Sequence, residues 1–294
     1  MNKSNIIGAI LATLLGVVAD ANAAPLYTAM DIGTLGGSTT FGSDINNLGQ
    51  VVGISATSGS VANNVFITGP NGVGMTDLGQ FAGGSNWADG INSSGQIIVN
   101  SGTYGYRSFI TGAGGVGSTE LLPLGEVNPF PTGSGSIGTW GINEVGQVTG
   151  RTTSGTGETT AFITGINGVG MTSIGTLGGS KSYGYGINDL GQVVGDSQTF
   201  GDGALHAFIS GLNGVGLTDL GTLGGTNSHS MGVNNGGFVV GYSNVTGDSV
   251  EHAFLASTSM GMTDLGTLGG NDSVAVDVNE SGIVVGYSWT AVGE

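Results

Sequence analysis

The stretch SYGYGINDLGQVVGDS, residues 182–197, decides the fold, because variants of it return throughout the chain. Each copy has small residues, then Ile-Asn or Val-Asn, then a glycine followed shortly by an apolar pair. The asparagine recurs at spacings of 46, 51, 45, 46 and 45 residues, as Asn46, Asn92, Asn143, Asn188, Asn234 and Asn279. A unit this short cannot bury its own core, so the period predicts an array of stacked units.

Within one unit the sequence predicts four antiparallel strands. SYGYGIN (182–188) is the first, and the asparagine begins a type I turn that Gly191 ends. QVVGDS is the second strand and HAFISG the third. Asn213-Gly214 predicts a two-residue hairpin before LTDLGTL, the fourth. No window combines helical apolar spacing with caps, so the mature protein should be almost wholly β.

Four such strands in about 45 residues are typical of a propeller blade. We therefore predict an all-β fold, a β-propeller of about six four-stranded blades. A β-solenoid is the alternative, although its coils are shorter. The glycine-rich first strands would be innermost. The space between blades would be filled by Phe66, Phe109, Phe162, Phe208 and Phe254.

The two ends of the array predict an incomplete last blade. LYTAMDIGTLGG (26–37) matches a fourth strand alone, and the sequence stops after the second strand of the last unit. Two explanations stay open: the N-terminal strand closes the ring by adding to the last blade, or the sequence is a fragment of a longer array. An open last blade would leave a strand edge available for self-association.

Two units contain His-Ala-Phe, at residues 206–208 and 252–254, and Asp-Leu-Gly-Thr-Leu-Gly-Gly occurs at 219–225 and 264–270. In these motifs the chain, from Asp31 to Ser288, resembles the bacterial extracellular HAF-repeat family. Other units depart from the triplet, with Asn64, Arg107 or Thr160 in place of the histidine. The resemblance implies secretion and a repeat architecture, and it brings no established activity.

The N-terminus predicts export. Lys3 precedes an apolar run from Ile6 to Ala19, and an Ala-x-Ala site follows, so residues 1–23 are predicted to be a signal peptide cleaved near Ala23. The remainder, 24–294, is predicted to be one repeat domain, extracellular or periplasmic and without a membrane span. No cysteine is present, so packing and hydrogen bonds must hold it together.

The charge excludes whole classes of partner. The net charge is −16, and after cleavage only Arg107, Arg151 and Lys181 are cationic. Such a surface repels nucleic acid and anionic lipid, whose phosphates need clusters of Lys or Arg.

Cofactor and metal patterns are weak. The histidines at 206, 229 and 252 suggest a metal site. Other units, however, have different residues at the position that His206 and His252 occupy, so no metal is predicted. Four Asp residues, three before Leu-Gly and one before Ile-Gly, suggest a Ca²⁺ ring but fit better as local backbone acceptors: Asp31, Asp77, Asp219 and Asp264. Gly112–Gly117 matches G-x-G-x-x-G between strands, where no helix can hold a pyrophosphate, so no cofactor is expected.

An insertion supplies the candidate ligand-binding residues. It lengthens one spacing to 51 residues and places Phe130, between two prolines, near Trp140. With Trp87, Tyr104 and Tyr106 of the preceding unit, these aromatics could form a surface for sugar or peptide. A length variation packed on the rim is the other interpretation.

Three functions follow as hypotheses. The first is a secreted, non-catalytic scaffold that binds extracellular glycan or protein, indicated by the array and the missing catalytic constellations. The second is a secreted lyase or hydrolase that uses carboxylates such as Asp89 or Glu144 in a central funnel. The third is a self-assembling matrix element.

Overall fold

The all-β prediction is confirmed. The computed structural model describes residues 29–59, 63–102, 107–124, 136–154 and 157–291, which contain 22 strands and no α-helix. From Ile32 onward the chain forms one compact unit. The predicted signal peptide lies outside the described residues.

The first three blades each have four described strands, and a parallel bridge between Thr159 and Lys181 joins blade 3 to blade 4. Blade 1 contains β1 (Gly36–Ile45), β2 (Val51–Thr57), β3 (Asn63–Thr68) and β4 (Met75–Gly79). Blade 2 contains β5 (Asn86–Ile91), β6 (Ile97–Ser101), β7 (Arg107–Thr111) and β8 (Ser118–Leu121). Blade 3 contains β9 (Ser136–Ile142), β10 (Val148–Thr153), β11 (Thr159–Thr164) and β12 (Met171–Gly175).

Two complete blades and one two-stranded blade follow. Blade 4 contains β13 (Gly178–Ile187), β14 (Val193–Thr199), β15 (Leu205–Ser210) and β16 (Leu217–Asp219). Blade 5 contains β17 (Gly224–Val233), β18 (Val239–Val245), β19 (Glu251–Ser257) and β20 (Gly261–Gly266). Blade 6 contains β21 (Gly269–Val278) and β22 (Val284–Thr290).

Consecutive strands of every blade pair antiparallel, as the sequence predicts. The first strands of successive blades contact one another, so they lie innermost where the blades converge. The apolar clusters form between neighbouring blades: one joins Ala161 and Ile163 of blade 3 to Val193 and Phe208 of blade 4. Phe66, Phe162, Phe208 and Phe254 are fully buried. Blades therefore stabilise one another through their faces.

The six asparagines hold the first turn of each blade. In blade 4 the Asn188 side-chain oxygen accepts the amides of Leu190 (3.1 Å) and Gln192 (2.9 Å). Its side-chain nitrogen donates to the Gln192 side chain and to the backbone oxygen of Asn234 in blade 5. The same inter-blade bond runs from Asn46, Asn92, Asn143 and Asn234 to the next asparagine. One residue thus closes a turn and links two blades.

The connection between third and fourth strands is longer than the sequence predicts. Asn213-Gly214 is not a two-residue hairpin, because residues 211–216 all lie between β15 and β16. Asn213 has a φ of 52°, in the left-handed region that asparagine tolerates. Its amide donates to Leu190 (3.2 Å), and Gly214 donates to Gly191 (3.0 Å). The loop lengthens because it docks on the first turn of its own blade.

Serine hydroxyls link each blade to the next from blade 3 to blade 6. Ser228 of β17 accepts the Ala207 amide at 2.9 Å and donates to Gly221. Ser182 and Ser273 make the same contacts at the neighbouring crossings. The Asp-Leu-Gly aspartates cap these crossings locally, as when Asp219 accepts the Gly221 amide at 2.8 Å.

The N-terminal strand does not close the ring within the described residues. Residues 32–34 lie outside any strand, and Leu35 makes a bridge to Thr57 of blade 1 rather than pairing with β22. The bridge repeats the link that Leu177 makes to Thr199, so the Thr-Leu-Gly-Gly segment belongs to the blade that follows it. Among the described residues β22 pairs only with β21, and its Tyr287 and Trp289 are about half exposed.

Candidate functional site

Eighteen residues on the first two strands of the blades differ from blade to blade, and we call them the variable band. They occupy three positions of the repeat: five residues before the turn asparagine, three before it, and eight after it. The first position holds Phe41, Trp87, Gly138, Tyr183, His229 and Val274. The second holds Ser43, Asp89, Trp140, Tyr185, Met231 and Val276. The third holds Ile54, Asn100, Arg151, Asp196, Tyr242 and Tyr287.

The sheet register brings these positions onto one face. The residue five before the asparagine pairs directly with the residue eight after it in every blade, as Tyr183 does with Asp196 and His229 with Tyr242. The residue three before the asparagine sits at a β-bulge, where the register of the first two strands shifts. Bulges redirect side chains and are common beside functional sites.

The positions that flank the band hardly vary. The residue before its third position is glycine in five blades and Val99 in the other. The residue after it always carries a hydroxyl, and it is buried in the first five blades. At Gly195 a Cβ atom would lie 1.8 Å from the Tyr183 carbonyl oxygen, which explains the glycine. The scaffold therefore hardly varies on either side of a position that holds five different residue types in six blades.

The band forms a cleft of about 240 Å³ between blades 2 and 3. Trp87 and Trp140 line it, together with Asp89, Asn100 and Arg151. Trp87 is 43% exposed. The Arg151 guanidinium carbon lies 5.7 Å from the centre of a Trp140 ring, and Tyr185 supports that tryptophan at 5.4 Å. Two indoles, one cation and one carboxyl group thus share one opening.

Asn100 holds the floor of this cleft in place. Its side-chain nitrogen donates to the Asp89 carboxylate and, at 2.8 Å, to the Thr139 carbonyl of blade 3. Its side-chain oxygen accepts the Thr139 amide at 3.1 Å. Burial raises the pKa of Asp89 more than the hydrogen bond from Asn100 lowers it. The carboxyl group is therefore orientated and poorly solvated.

A second cavity, of about 470 Å³, lies between blades 5 and 6. Band residues Tyr242 and Tyr287 line it with Trp289, and three carboxylates join them: Asp248, Glu251 and Asp272. Hydrogen bonds from the Thr226 side chain and amide lower the pKa of Asp248. Aromatic and acidic groups line this cavity, whereas the cleft between blades 2 and 3 also has a cation.

The histidines pair with carboxylates. His206 and His252 each lie 2.9 Å from the aspartate opposite on the fourth strand, Asp219 and Asp264. Asn64–Asp77 and Arg107–Glu120 fill the same cross-strand position in other blades. Across the described ranges, no group of three or more His, Cys, Asp or Glu residues is arranged to hold a metal ion. The aspartates before Leu-Gly thus have a partner side chain that the sequence patterns did not identify.

His229 belongs to the band and contacts another blade. Its Nδ1 lies 2.7 Å from the buried Asp196 carboxylate of blade 4, and its ring stacks on Tyr242 at 4.7 Å. Burial alone would lower the pKa of His229, but the hydrogen bond and charge of Asp196 raise it overall. This contact joins two blades through band residues.

The sequence-predicted site residues meet only in part. Trp87 and Trp140 line the same cleft, whereas Phe130, Tyr104 and Tyr106 lie outside the described residues. Of the two carboxylates proposed for catalysis, Asp89 lines the cleft, and Glu144 instead accepts the amide and hydroxyl of Ser93. Sequence reasoning missed Asn100 and Arg151. Comparing the residue eight after the turn asparagine across units would have found them.

In the described part of the chain no helix has the length and apolarity to cross a bilayer. No protein-family model and no curated protein sequence matches the chain.

Solved structures do match. The β-propeller domain of the Trilobed protease from Pyrococcus furiosus superposes with a TM-score of 0.54 at 10% identity, over 83% of this chain and 77% of that one. A puromycin hydrolase mutant complexed with PGG gives 0.52 at 13% identity, over 90% of this chain and 49% of that one. TolB from Acinetobacter baumannii gives 0.49 at 9% identity over 77% of this chain, which spans 57% of TolB. The first two likenesses show one thing about this chain: its fold is a β-propeller.

Proposed function

We propose that this protein is a secreted, non-catalytic propeller scaffold that binds extracellular glycan or protein through the variable band. The observation that supports the proposal is the concentration of sequence differences on the first two strands of each blade, between positions that hardly vary. In a repeat array, residues that hold the scaffold recur, whereas residues that contact a ligand can differ from unit to unit.

Simple tolerance of surface positions does not account for this band. Asp196 is 1% exposed and Trp140, Tyr185 and His229 are partly buried, so substitution here changes packing. Seven of the eighteen residues are Phe, Trp or Tyr, although these types make up 7% of the chain. Aromatic residues are enriched where proteins bind partners, because they bury a large area at low entropic cost.

Export is the second part of the proposal. The predicted signal peptide and the resemblance to an extracellular repeat family support it. The net charge of −16 favours solubility and disfavours polyanionic partners.

Binding is tested with the purified mature chain on a glycan array and on immobilised extracellular protein extracts. We expect saturable binding that weakens when band aromatics are removed, as in the double variant Trp140→Ala/Tyr287→Ala. Phe200→Ala removes an aromatic ring that is 90% exposed outside the band, and it should bind like the parent chain. If the double variant binds as tightly as the parent chain, the proposal is contradicted.

Asp89 favours a second candidate, a secreted lyase or hydrolase. Its raised pKa and its place in a cleft lined by two indoles suit an acid–base group. Glycoside hydrolysis generally needs two carboxyl groups about 5–10 Å apart, and Asp89 is the one carboxyl group among the described residues that line this cleft. Release of reducing ends from polysaccharide, abolished in Asp89→Asn, would establish this candidate over the first.

A further inference from the structure

The cleft between blades 2 and 3 presents two aromatic rings to a ligand. Trp87 and Trp140 come from different blades and line a space of about 240 Å³. Tyr185 and Arg151 pack against Trp140, so the indole is held in position before any ligand arrives. Aromatic ring faces carry partial negative charge and attract the C–H groups of a sugar ring. The volume is smaller than the roughly 300–1,000 Å³ of sites for drug-sized ligands and suits a single ring.

The polar groups of the cleft have complementary functions. Asp89 accepts hydrogen bonds when ionised, and Arg151 only donates them. Among the described residues, Arg107 forms an ion pair with Glu120, whereas Arg151 forms none. Neighbouring hydroxyl groups of a sugar both donate and accept, so one ring can satisfy Asp89 and Arg151 together.

Charge argues for an uncharged sugar. A uronic acid would gain from Arg151 but would meet Asp89 and the −16 charge of the chain. An amino sugar would gain from Asp89 but would meet the guanidinium. A neutral ring is repelled by neither Asp89 nor Arg151.

We propose that this cleft binds one neutral pyranose ring of a glycan, with Trp140 and Trp87 stacking on its faces and Asp89 and Arg151 bonding its hydroxyls. The proposal rests on the proposed function and names the ligand class of one part of the band. Asn100 orientates Asp89 and is a positioning residue.

The test is titration of the mature chain with neutral hexasaccharides, followed by tryptophan fluorescence and calorimetry. Cellohexaose, maltohexaose, mannohexaose and xylohexaose serve as neutral probes, hexagalacturonate as the acidic probe and chitosan hexamer as the basic one. At least one neutral probe should bind, with a Kd of about 1 mM or tighter. Trp140→Ala, Asp89→Asn and Arg151→Gln should each weaken that binding about tenfold or more.

Matched controls separate the site from general surface effects. Trp289→Ala removes an indole from the other cavity, and Lys181→Gln removes an exposed cation, so neither should change the Kd. Trp140→Phe keeps an aromatic face and should lose less affinity than Trp140→Ala, which guards against a folding defect. Thermal unfolding of every variant checks that the fold persists.

Three results would overturn the inference: no neutral probe binds at about 10 mM, a charged probe binds more tightly than all neutral ones, or neutral binding survives Trp140→Ala and Asp89→Asn unchanged. If no sugar binds but a protein is captured in a band-dependent way, this inference fails while the proposed function stands.

Discussion

The side-chain amide of Asn188 donates a 2.9 Å hydrogen bond to the backbone carbonyl of Asn234, one blade further along the chain. Both asparagines are buried, and each also closes the first turn of its own blade. The same asparagine therefore closes the turn within its blade and links that blade to the next one. This relationship makes the strength of the link measurable by substitution.

Asn188→Ala should destabilise the protein more than Asn279→Ala, by about 2 kcal/mol in the free energy of unfolding. Both variants lose the turn bonds, because Asn279 likewise accepts the amides of Ser281 and Ile283. Asn188→Ala also removes two bonds that its side-chain nitrogen donates, one to the Gln192 side chain and one to the buried Asn234 carbonyl, which keeps the Gly237 amide as a donor. Asn279, in contrast, is exposed. Urea unfolding measures the difference, and equal losses would mean that the inter-blade bond contributes nothing.

Phe208→Ala should cost about 3–5 kcal/mol, because it leaves a cavity between blades 3 and 4. Phe208 is fully buried, whereas Phe200 is 90% exposed eight residues earlier. Phe200→Ala is therefore the control and should change the free energy of unfolding by less than about 0.5 kcal/mol. Chemical denaturation of both variants checks the prediction. A small loss for Phe208→Ala would show that the faces of the blades do not carry the stability.

Gly195→Ala should destabilise blade 4 by about 2 kcal/mol or more. The added Cβ atom would lie 1.8 Å from the Tyr183 carbonyl oxygen, a backbone atom of the paired strand that cannot move independently. Gly203→Ala is the control, since its Cβ would meet nothing within 4 Å and its φ lies outside the left-handed region. Thermal and urea unfolding compare the two. Similar stabilities would contradict the close approach of the first two strands.

Stability should fall as His229 loses its proton. The folded-state pKa of His229 is raised above its unfolded value of about 6.5, chiefly through Asp196, which outweighs the opposing effect of burial. The stabilisation is therefore complete below that unfolded value and disappears as the pH rises through the folded pKa. His229→Gln should remove this loss from unfolding curves measured between about pH 6 and 9.

His252→Gln is the matched control for that series. His252 bonds Asp264, whose side chain is 43% exposed, whereas the side chain of Asp196 is 1% exposed. Solvent screens the exposed pair, so its removal should leave most of the pH dependence intact. If His229→Gln keeps the parent pH dependence, another group controls it.

Much of the fold could be predicted because its signals are local. The turn at Asn188 and the strand that begins with the apolar pair Val193-Val194 depend on neighbours within a few positions. The length of the Asn213 connection could not be predicted, because it depends on docking against Leu190 and Gly191. The site divides in the same way. Trp87 and Trp140 were identified as aromatic residues in and beside the unit with the insertion, but the roles of Arg151 and Asn100 became clear only from the cleft that they share.

The sequence by itself determined the repeat length, the order of strands in each blade, the six turns and the acidic, cysteine-free character of the chain. Each of these follows from local propensity or from composition. Only the tertiary structure decided which residues meet across blades, such as Asp196 with His229 or Trp87 with the Trp140 cleft. Those contacts depend on the angle and spacing at which sheets pack, and this geometry arises only when every blade has its neighbours.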